Sequence, residues 1–203
     1  SIRPGWFYHA REDGRVKSPQ ELTDLYYRSV GRNCVLLLNV PPDRRGRLHE
    51  TDVATLREFR RILDATFGRN LAAGAEVKAS NTRLGHGRFA PGNLVDGNPN
   101  TYWATDDGVT RATLEVLIEE GSEFDRILLQ EPIRLGQRIS AFSVEARIDA
   151  VWTEVSRGTT VGYKRLLRFP AVRADGVRIH IEEALGPPAL STLGVFKAAL
   201  EEG

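Results

Sequence analysis

The acidic side chains near the start of the chain are candidates for general acid and base chemistry. Such chemistry needs two carboxyl groups that converge on one reacting atom. Glu12 and Asp13 are neighbours in a polar loop, and adjacent residues in a turn rarely point at the same atom. Asp43 is followed directly by Arg44 and Arg45, so a turn or an ion pair explains it more simply. We therefore assign no catalytic residue in this chain.

The histidines and the single cysteine form no metal-binding pattern. The histidines are spaced too irregularly for a motif such as HExxH, and one cysteine can form neither an internal disulfide nor a CxxC site; they are His9, His49, His86 and His180. Alternation along a strand places His180, which lies between two isoleucines, on the solvent face. Cys34 opens an apolar run and is expected to be buried rather than reactive.

Composition and charge argue against two classes of partner. The 203 residues are 41% apolar and carry 28 Lys plus Arg against 27 Asp plus Glu, a net charge of +1. A nucleic-acid-binding domain usually has a basic excess on one face, and the short cluster Arg44, Arg45 and Arg47 is better explained as a solvated turn. No run approaches the roughly 20 apolar residues of a membrane span. We expect no nucleic-acid partner, no membrane span and no signal peptide.

Residues 1–70 alternate between strand-like and helix-like segments, the rhythm of the last units of a β/α barrel. A capping box that starts at Ser18, with proline at the first helical position, predicts a helix that Gly31 closes. A second helix, with its apolar residues on one face, is predicted to begin near Thr51 and to stop at Gly68. Two such units cannot form a barrel by themselves.

Two strand-like segments accompany these helices. Residues 2–9 are apolar and aromatic and are broken by Pro4 and Gly5, which indicates a strand end that turns into a loop. Residues 34–40 form a continuous apolar run that two prolines end. Such a run is typical of a strand buried on both faces, as in a parallel sheet or barrel.

From about Ala75 the apolar residues recur with a period of two, which predicts antiparallel strands. The alternating positions are Leu114, Val116, Ile118, Phe142, Val144, Ala146, Val177, Ile179 and Ile181. Turn signals separate the strands, at Asp96–Pro99, Asp106–Gly108, Glu120–Gly121, Arg157–Gly158, Asp175–Gly176 and Gly186–Pro188. We predict a mixed fold: residues 1–70 form the end of a (β/α)8-like barrel, and residues 71–203 form an antiparallel β-sandwich.

Several motifs carry a resemblance to glycoside hydrolase family 29, particularly to its α-1,3/1,4-fucosidase branch. In the first part, residues 1–9 and 29–43 resemble the closing barrel strands of that family in order and separation. In the second part, residues 93–105, 135–138 and 162–165 resemble the discoidin-like (galactose-binding-like) sandwich that follows the barrel. The resemblance covers nearly the whole chain.

This resemblance implies a retaining exo-α-L-fucosidase that acts on terminal α-1,3/1,4-linked fucose of an oligosaccharide or glycoconjugate. In such an enzyme an Asp attacks the anomeric carbon and a Glu protonates the leaving oxygen. No residue here matches either one, so both are expected upstream of Ser1, in an N-terminal remainder of the barrel. The chain contains no methionine, which also indicates a fragment, inactive alone. A secreted or periplasmic location follows only from what such enzymes degrade.

The resemblance also places Trp6 in the fucose pocket, where the apolar faces of the sugar would stack on the indole. Phe7 and Tyr8 are expected to be packing aromatics. Asn39 ends the predicted strand at the same face; it either hydrogen-bonds active-site neighbours or caps its own turn. His9 is the histidine nearest this pocket and, with Trp6 and Asn39, is a candidate substrate-binding residue, a structural role being the alternative.

A calcium ion is the one cofactor that the resemblance implies for the sandwich. Related discoidin-like modules often bind calcium through the loop that corresponds to Asp96, Asn98 and Thr101, with carboxylate and carbonyl oxygens as ligands. Those modules usually add a Glu near the last strand, where this chain has Thr192. Asp-Gly-Asn-Pro is also an ordinary turn sequence, so a structural calcium site and a simple turn stay open.

Three functions are compatible with these patterns. The chain is part of an α-L-fucosidase, a carbohydrate-binding module in its own right, or a scaffold that supports the barrel. Trp103 and Trp152 are expected to be packing aromatics rather than sugar platforms. Because the sequence shows no exposed aromatic cluster, we favour support over glycan binding for the sandwich.

Overall fold

The structure, a computed structural model, describes residues 1–199; positions 200–203 of the predicted sandwich lie outside the described residues. The helices are α1 (Pro19–Arg28) and α2 (Glu50–Phe67). The strands are β1 (Val77–Ala79), β2 (Trp103–Ala104), β3 (Ala112–Gln130), β4 (Ile139–Ile148), β5 (Val151–Gly158), β6 (Arg165–Ala184), β7 (Ala189–Leu190) and β8 (Thr192–Phe196). Both helices therefore precede residue 70, and the described strands follow it.

The capping box at the start of α1 is confirmed. The Glu21 amide donates to Ser18 Oγ at 3.1 Å, and the Ser18 amide donates to the Glu21 carboxylate at 2.7 Å, which lowers the pKa of Glu21. After the last helical turn the Gly31 amide donates to the Tyr26 carbonyl at 3.0 Å. A Cβ at position 31 would lie 2.5 Å from the Tyr27 carbonyl oxygen, so this close approach requires glycine.

The second helix is also confirmed, one residue earlier than predicted. Its N-cap is His49, whose Nδ1 accepts from the Thr51 amide at 3.3 Å, and Gly68 follows its last residue. The two helices pack through aromatic rings: the Tyr26 ring lies 6.2 Å from Phe59 and 6.4 Å from Phe67, measured between centroids.

The predicted buried strand at residues 34–40 is wrong for the described part of the chain. The segment has no strand structure, Val35 and Leu37 are 90% and 91% exposed, and Cys34 is exposed as well. Within residues 1–199, a single backbone–backbone hydrogen bond joins this run to the start of the chain, from the Ile2 amide to the Asn39 carbonyl at 2.9 Å. A strand needs paired strands along its edges, and residues 1–199 supply no such strand there. No barrel is seen within these residues.

The strands form antiparallel sheets, consistent with the predicted β-sandwich. The larger sheet has the order β1-β3-β6-β4-β5, with β8 added alongside β3, and β2 pairs with β7 in a small second sheet. The first half of β3 pairs with β1 and the end of β6, whereas its second half pairs with β8 and the start of β6. The long strands β3 and β6 thus link two ends of the sheet.

Two predicted turns are wrong because the long strands run through them. Glu120–Gly121 lies inside β3, and Asp175–Gly176 lies inside β6. The pairing register shifts between Leu117 and Ser122, and Gly121 has a φ of +75°. The glycine therefore allows an irregularity within a continuing strand, as a bulge does, rather than a chain reversal.

One apolar core lies within these strands, and the period-two prediction of its members is confirmed. Eight of the nine alternating residues are at most 2% exposed, and Ile118 is partly buried against them. Trp103 is fully buried, as expected for a packing aromatic, and its indole N–H donates to the Asn81 carbonyl at 2.9 Å.

The helices pack on one edge of the sheet. Arg126 Nε donates to the Tyr27 hydroxyl at 3.0 Å, and the Phe67 and Phe196 rings meet edge to face at 5.2 Å. The Leu166 amide donates to the Gly31 carbonyl at 2.9 Å. Buried polar and aromatic contacts therefore join residues 1–70 to the sandwich.

Candidate substrate-binding surface

The loop that carries Trp6 is held by Asn39. Asn39 Nδ2 donates to the Trp6 carbonyl at 2.9 Å and to Ser1 Oγ at 3.1 Å, while Ser1 Oγ donates to the Gly5 carbonyl at 2.8 Å. The Trp6 side chain is 64% exposed. The structure therefore brings two of the three predicted substrate-binding residues together, with Asn39 fixing the loop backbone and the indole face open to solvent.

A buried arginine lies beneath this loop. Arg3 is 1% exposed; its Nε donates to Asp52 Oδ2 at 2.9 Å, its Nη1 donates to Asp13 Oδ1 at 2.8 Å, and its guanidinium lies 4.8 Å from the centre of the Tyr8 ring. The hydrogen bond from Arg3 lowers the pKa of Asp13. Asp52, in the first turn of α2, is fully buried. A buried pair of this kind links the Trp6 loop to the helix, since breaking it would leave an uncompensated charge.

Arg3 and Asp52 were not predicted from the sequence as site residues. Two features of the sequence could have indicated them. Arg3 is a cation inside the apolar start of the chain, and Asp52 is a carboxylate in the first turn of a helix. Nothing in the spacing of 49 residues between them indicated that they would meet.

The aromatic neighbours of Trp6 differ in burial. Tyr8 packs as predicted: its hydroxyl donates to Asp13 at 3.3 Å, and its ring lies 5.9 Å from that of His49. Phe7 is 74% exposed, so the packing role predicted for it is wrong within residues 1–199. His9 is exposed, and its carbonyl accepts from the Glu12 amide at 2.9 Å at the start of a short 3-10 turn. Its role in substrate binding stays a prediction.

The local carboxylates behave as expected for structural groups. The Glu12 carboxylate accepts from the Gly5 amide at 3.3 Å, whereas Asp13 faces Arg3, so the adjacent acids do not converge. Asp43 accepts hydrogen bonds from the backbone and guanidinium of Arg45, which lower the pKa of Asp43 to about 2. This confirms the turn and ion pair predicted at Asp43.

The loop predicted to bind calcium closes on itself through hydrogen bonds. Asp96 Oδ1 accepts from the Asn98 amide at 2.8 Å, and Asp96 Oδ2 accepts from Thr101 Oγ1 at 2.7 Å. Among the described residues no group of three or more His, Cys, Asp or Glu side chains is arranged to hold a metal. One carboxylate with neutral oxygens around it is a sparse ligand set for calcium, so these contacts favour the simple turn, and calcium binding stays a prediction.

The outer face of the sheet carries a polar network around His180. His180 Nε2 lies 2.9 Å from Glu145, which also accepts from Arg178 at 3.2 Å, and the Arg178 guanidinium lies 3.9 Å from the centre of the Trp152 ring. His180 therefore lies off the core face, as alternation predicts, but is only partly exposed. Trp152 packs under the arginine, which agrees with its predicted packing role.

No helix among the described residues combines the length and the apolar character that crossing a bilayer requires.

Comparison with known proteins identifies the family. Residues 76–192 match the F5/8 type C domain. The chain is 44% identical over 200 residues to putative α-L-fucosidase 1 of Oryza sativa subsp. japonica. The aligned region covers 97% of this chain and 38% of that protein. It spans about two fifths of the length of the curated relatives it matches.

Solved structures of fucosidases are also similar to this chain over nearly its whole length. A putative α-L-fucosidase from Bacteroides thetaiotaomicron superposes with a TM-score of 0.93 at 42% identity, over 97% of this chain and 43% of that chain. A Ruminococcus gnavus GH29 fucosidase in complex with fucose superposes with a TM-score of 0.90 at 37% identity, over 98% of this chain and 40% of that chain. The chain therefore belongs to the F5/8 type C domain family, and over nearly its whole length it is similar to α-L-fucosidases of glycoside hydrolase family 29.

Proposed function

We propose that this chain is the C-terminal part of a retaining exo-α-L-fucosidase that removes terminal α-1,3/1,4-linked fucose from glycans. The observation that carries the proposal is the 44% identity to a putative α-L-fucosidase over 200 residues. That similarity includes the helical part with Trp6 as well as the sandwich. A shared sandwich alone would not support an activity, because the same fold serves many functions.

In this proposal Trp6 contacts the fucose. Its indole is 64% exposed, and the carbonyl of the same residue is held by Asn39. A fixed, open aromatic face suits the methyl group and C–H surface of a deoxy sugar. The Arg3–Asp52 pair supports the loop from below, so the ring is presented at little conformational cost.

The rest of the barrel is the proposed partner of residues 1–70. Val35, Leu37 and Phe7 are each at least 74% exposed and lie in the two segments that resemble closing barrel strands. Burial of a Val, Leu or Phe side chain stabilises a fold by about 1.5–3 kcal/mol. We place the nucleophilic Asp and the acid/base Glu in this remainder, because no residue of this chain matches either of them in the family resemblance.

The sandwich has a supporting role in this proposal. Its strands contact both helices through Arg126 on Tyr27 and Phe196 on Phe67. These contacts hold the helical part from outside the proposed pocket. They favour support over a separate glycan-binding function.

The test is fucose release from an α-1,3/1,4-fucosylated trisaccharide by the complete protein. We expect Trp6→Ala to lower kcat/KM by about tenfold or more, because a stacking surface is lost. Trp152→Ala removes an indole from the outer face of the sheet and serves as the matched control, with kcat/KM close to wild type. No release by the wild type would overturn the fucosidase proposal, whereas unchanged kinetics in Trp6→Ala would overturn only the role of Trp6.

A further inference from the structure

A groove rich in arginine lies between the end of α1 and the edge of the sheet formed by β5 and β6. It has a volume of about 260 Å³ and shares no residue with the Trp6 surface. Tyr27 and Ser156 supply hydroxyl groups to its wall. Five guanidinium side chains also line it, those of Arg28, Arg32, Arg157, Arg165 and Arg168.

Acidic side chains neutralise part of this charge. Asp24 accepts from Arg28 at 2.7 Å and from Arg168 at 2.9 Å, and Arg157 pairs with Glu154 at 2.9 Å and with Glu182 at 3.8 Å. One carboxylate is therefore shared between two arginines. These contacts leave the inner part of the groove, around Arg165, without an acidic partner among residues 1–199.

Arg165 is the cation at the inner end of the groove. Its Nε atom is buried and has no hydrogen-bond partner, and its side chain makes no ion pair within residues 1–199. Burial and the neighbouring charge of Arg32 lower the pKa of Arg165. A guanidinium stays protonated even so, and a half-buried charge without a counterion loses part of its hydration without compensation. The site is thus electrostatically incomplete.

The chemistry that would complete it is an oxyanion. A guanidinium presents its N–H donors in a planar fork that fits the oxygens of carboxylate, sulfate or phosphate, and such charge-assisted bonds are the strong ones. Arg32, next to Arg165 through an antiparallel backbone bridge, adds a second cation, and the Ser156 hydroxyl can donate to a third oxygen. We propose that this groove binds a small oxyanion, free or carried as a substituent on a glycan, with Arg165 as its central ligand.

The experiment compares thermal unfolding of the complete protein in sodium sulfate and in sodium chloride of equal ionic strength. We expect the wild type to show an additional rise in Tm that saturates with sulfate, because a ligand that binds only the folded state stabilises it. Arg165→Gln should show only the general, non-saturating effect of sulfate on protein stability. Arg173→Gln, which removes an exposed arginine from the same strand, should respond like the wild type.

Calorimetric titration with inorganic sulfate gives the second measurement. We expect the Kd to rise by about tenfold or more in Arg165→Gln and to stay unchanged in Arg173→Gln. Without added oxyanion, Arg165→Gln should be at least as stable as the wild type, since it removes a half-buried charge that has no counterion within residues 1–199. A sulfated galactoside that binds more tightly than inorganic sulfate would assign the anion to a glycan; the reverse order would assign it to a free ion.

Three results would overturn the proposal. The first is the absence of a saturable response in the wild type, and the second is an equal response in Arg165→Gln. The third is a large loss of Tm in oxyanion-free Arg165→Gln, which would mean that a carboxylate elsewhere in the complete protein already occupies the groove.

Discussion

The two parts of the chain differ in how far their apolar side chains are buried. In the sandwich, the alternating residues of β3, β4 and β6 are almost completely buried. In the first part, the most apolar run of the sequence exposes Val35 and Leu37 by 90% and 91%. Hydrophobicity therefore selects the residues that can be buried, whereas their burial depends on neighbouring strands. The sandwich has those strands within residues 1–199, and the run at 34–40 does not.

The two parts of the chain differ less in their polar contacts than in their apolar burial. The loop around Trp6 is fixed by Asn39 and by the buried Arg3–Asp52 pair even though the apolar run beside it is exposed. Each of these hydrogen bonds needs only its own two partners to meet, so it does not require the apolar run to be covered. The comparison therefore predicts different responses to mutation in the two parts.

The largest expected effect distinguishes two leucines. Leu129→Ala in the sandwich core should lower the free energy of unfolding by about 2–5 kcal/mol, because a fully buried side chain leaves a cavity. Leu37→Ala should change it by at most about 0.5 kcal/mol in the 203-residue chain, since the side chain is already in solvent. Urea denaturation of the two variants measures both values.

The same two substitutions have a different expected outcome in the complete protein. If Leu37 is buried against the rest of the barrel there, its replacement should cost about as much as that of Leu129. Two outcomes would contradict this difference in burial between the two parts. One is destabilisation of the 203-residue chain by Leu37→Ala, and the other is no effect of Leu37→Ala in the complete protein.

A smaller effect is expected at the contact between the two parts. Tyr27→Phe removes the hydroxyl that accepts from Arg126 Nε and should cost about 1–3 kcal/mol, because a buried charged donor loses an acceptor. Tyr26→Phe is the matched control: its hydroxyl makes no hydrogen bond within residues 1–199, and its loss should cost at most about 0.5 kcal/mol. Equal unfolding free energies for both variants would show that the contact does not couple the parts.

The smallest effect concerns the turn at Asp43. The pKa of this carboxyl is about 2 in the folded chain, below its ordinary value of 3.8, because Arg45 donates to it. A depressed pKa contributes stability above the unfolded value that is lost as the pH falls through the folded value. The stability gap between wild type and Asp43→Asn should therefore be constant above about pH 4 and shrink towards about pH 2.

Urea unfolding across that pH range checks the Asp43 prediction. Asp64→Asn is the control, since it breaks only an exposed ion pair with Arg60, and such pairs contribute little. A gap that stays the same at every pH would mean that the Asp43 turn is not held by the ionised carboxylate. The turn would then differ from the rest of the locally stabilised first part.

Much of the fold could be predicted from local signals. The capping box at Ser18 and the apolar face after Thr51 predicted both helices, because a helix is specified by its ends and its period. Period-two alternation predicted the core faces of three strands. The glycines at 121 and 176 were misleading, since a glycine in a strand allows a bulge as readily as a turn.

Local sequence patterns were sufficient to predict the helices, the alternating strands and the family resemblance, because each depends on neighbours within a few residues or on motifs in order. The side chains that meet across long separations became known from the folded chain: Arg3 with Asp52, Asn39 with the Trp6 loop, and Arg165 among four other arginines. The folded chain also shows that Val35 and Leu37 are exposed. Pairing, burial and charge compensation depend on what the rest of the chain brings alongside, and residue type alone does not contain that information.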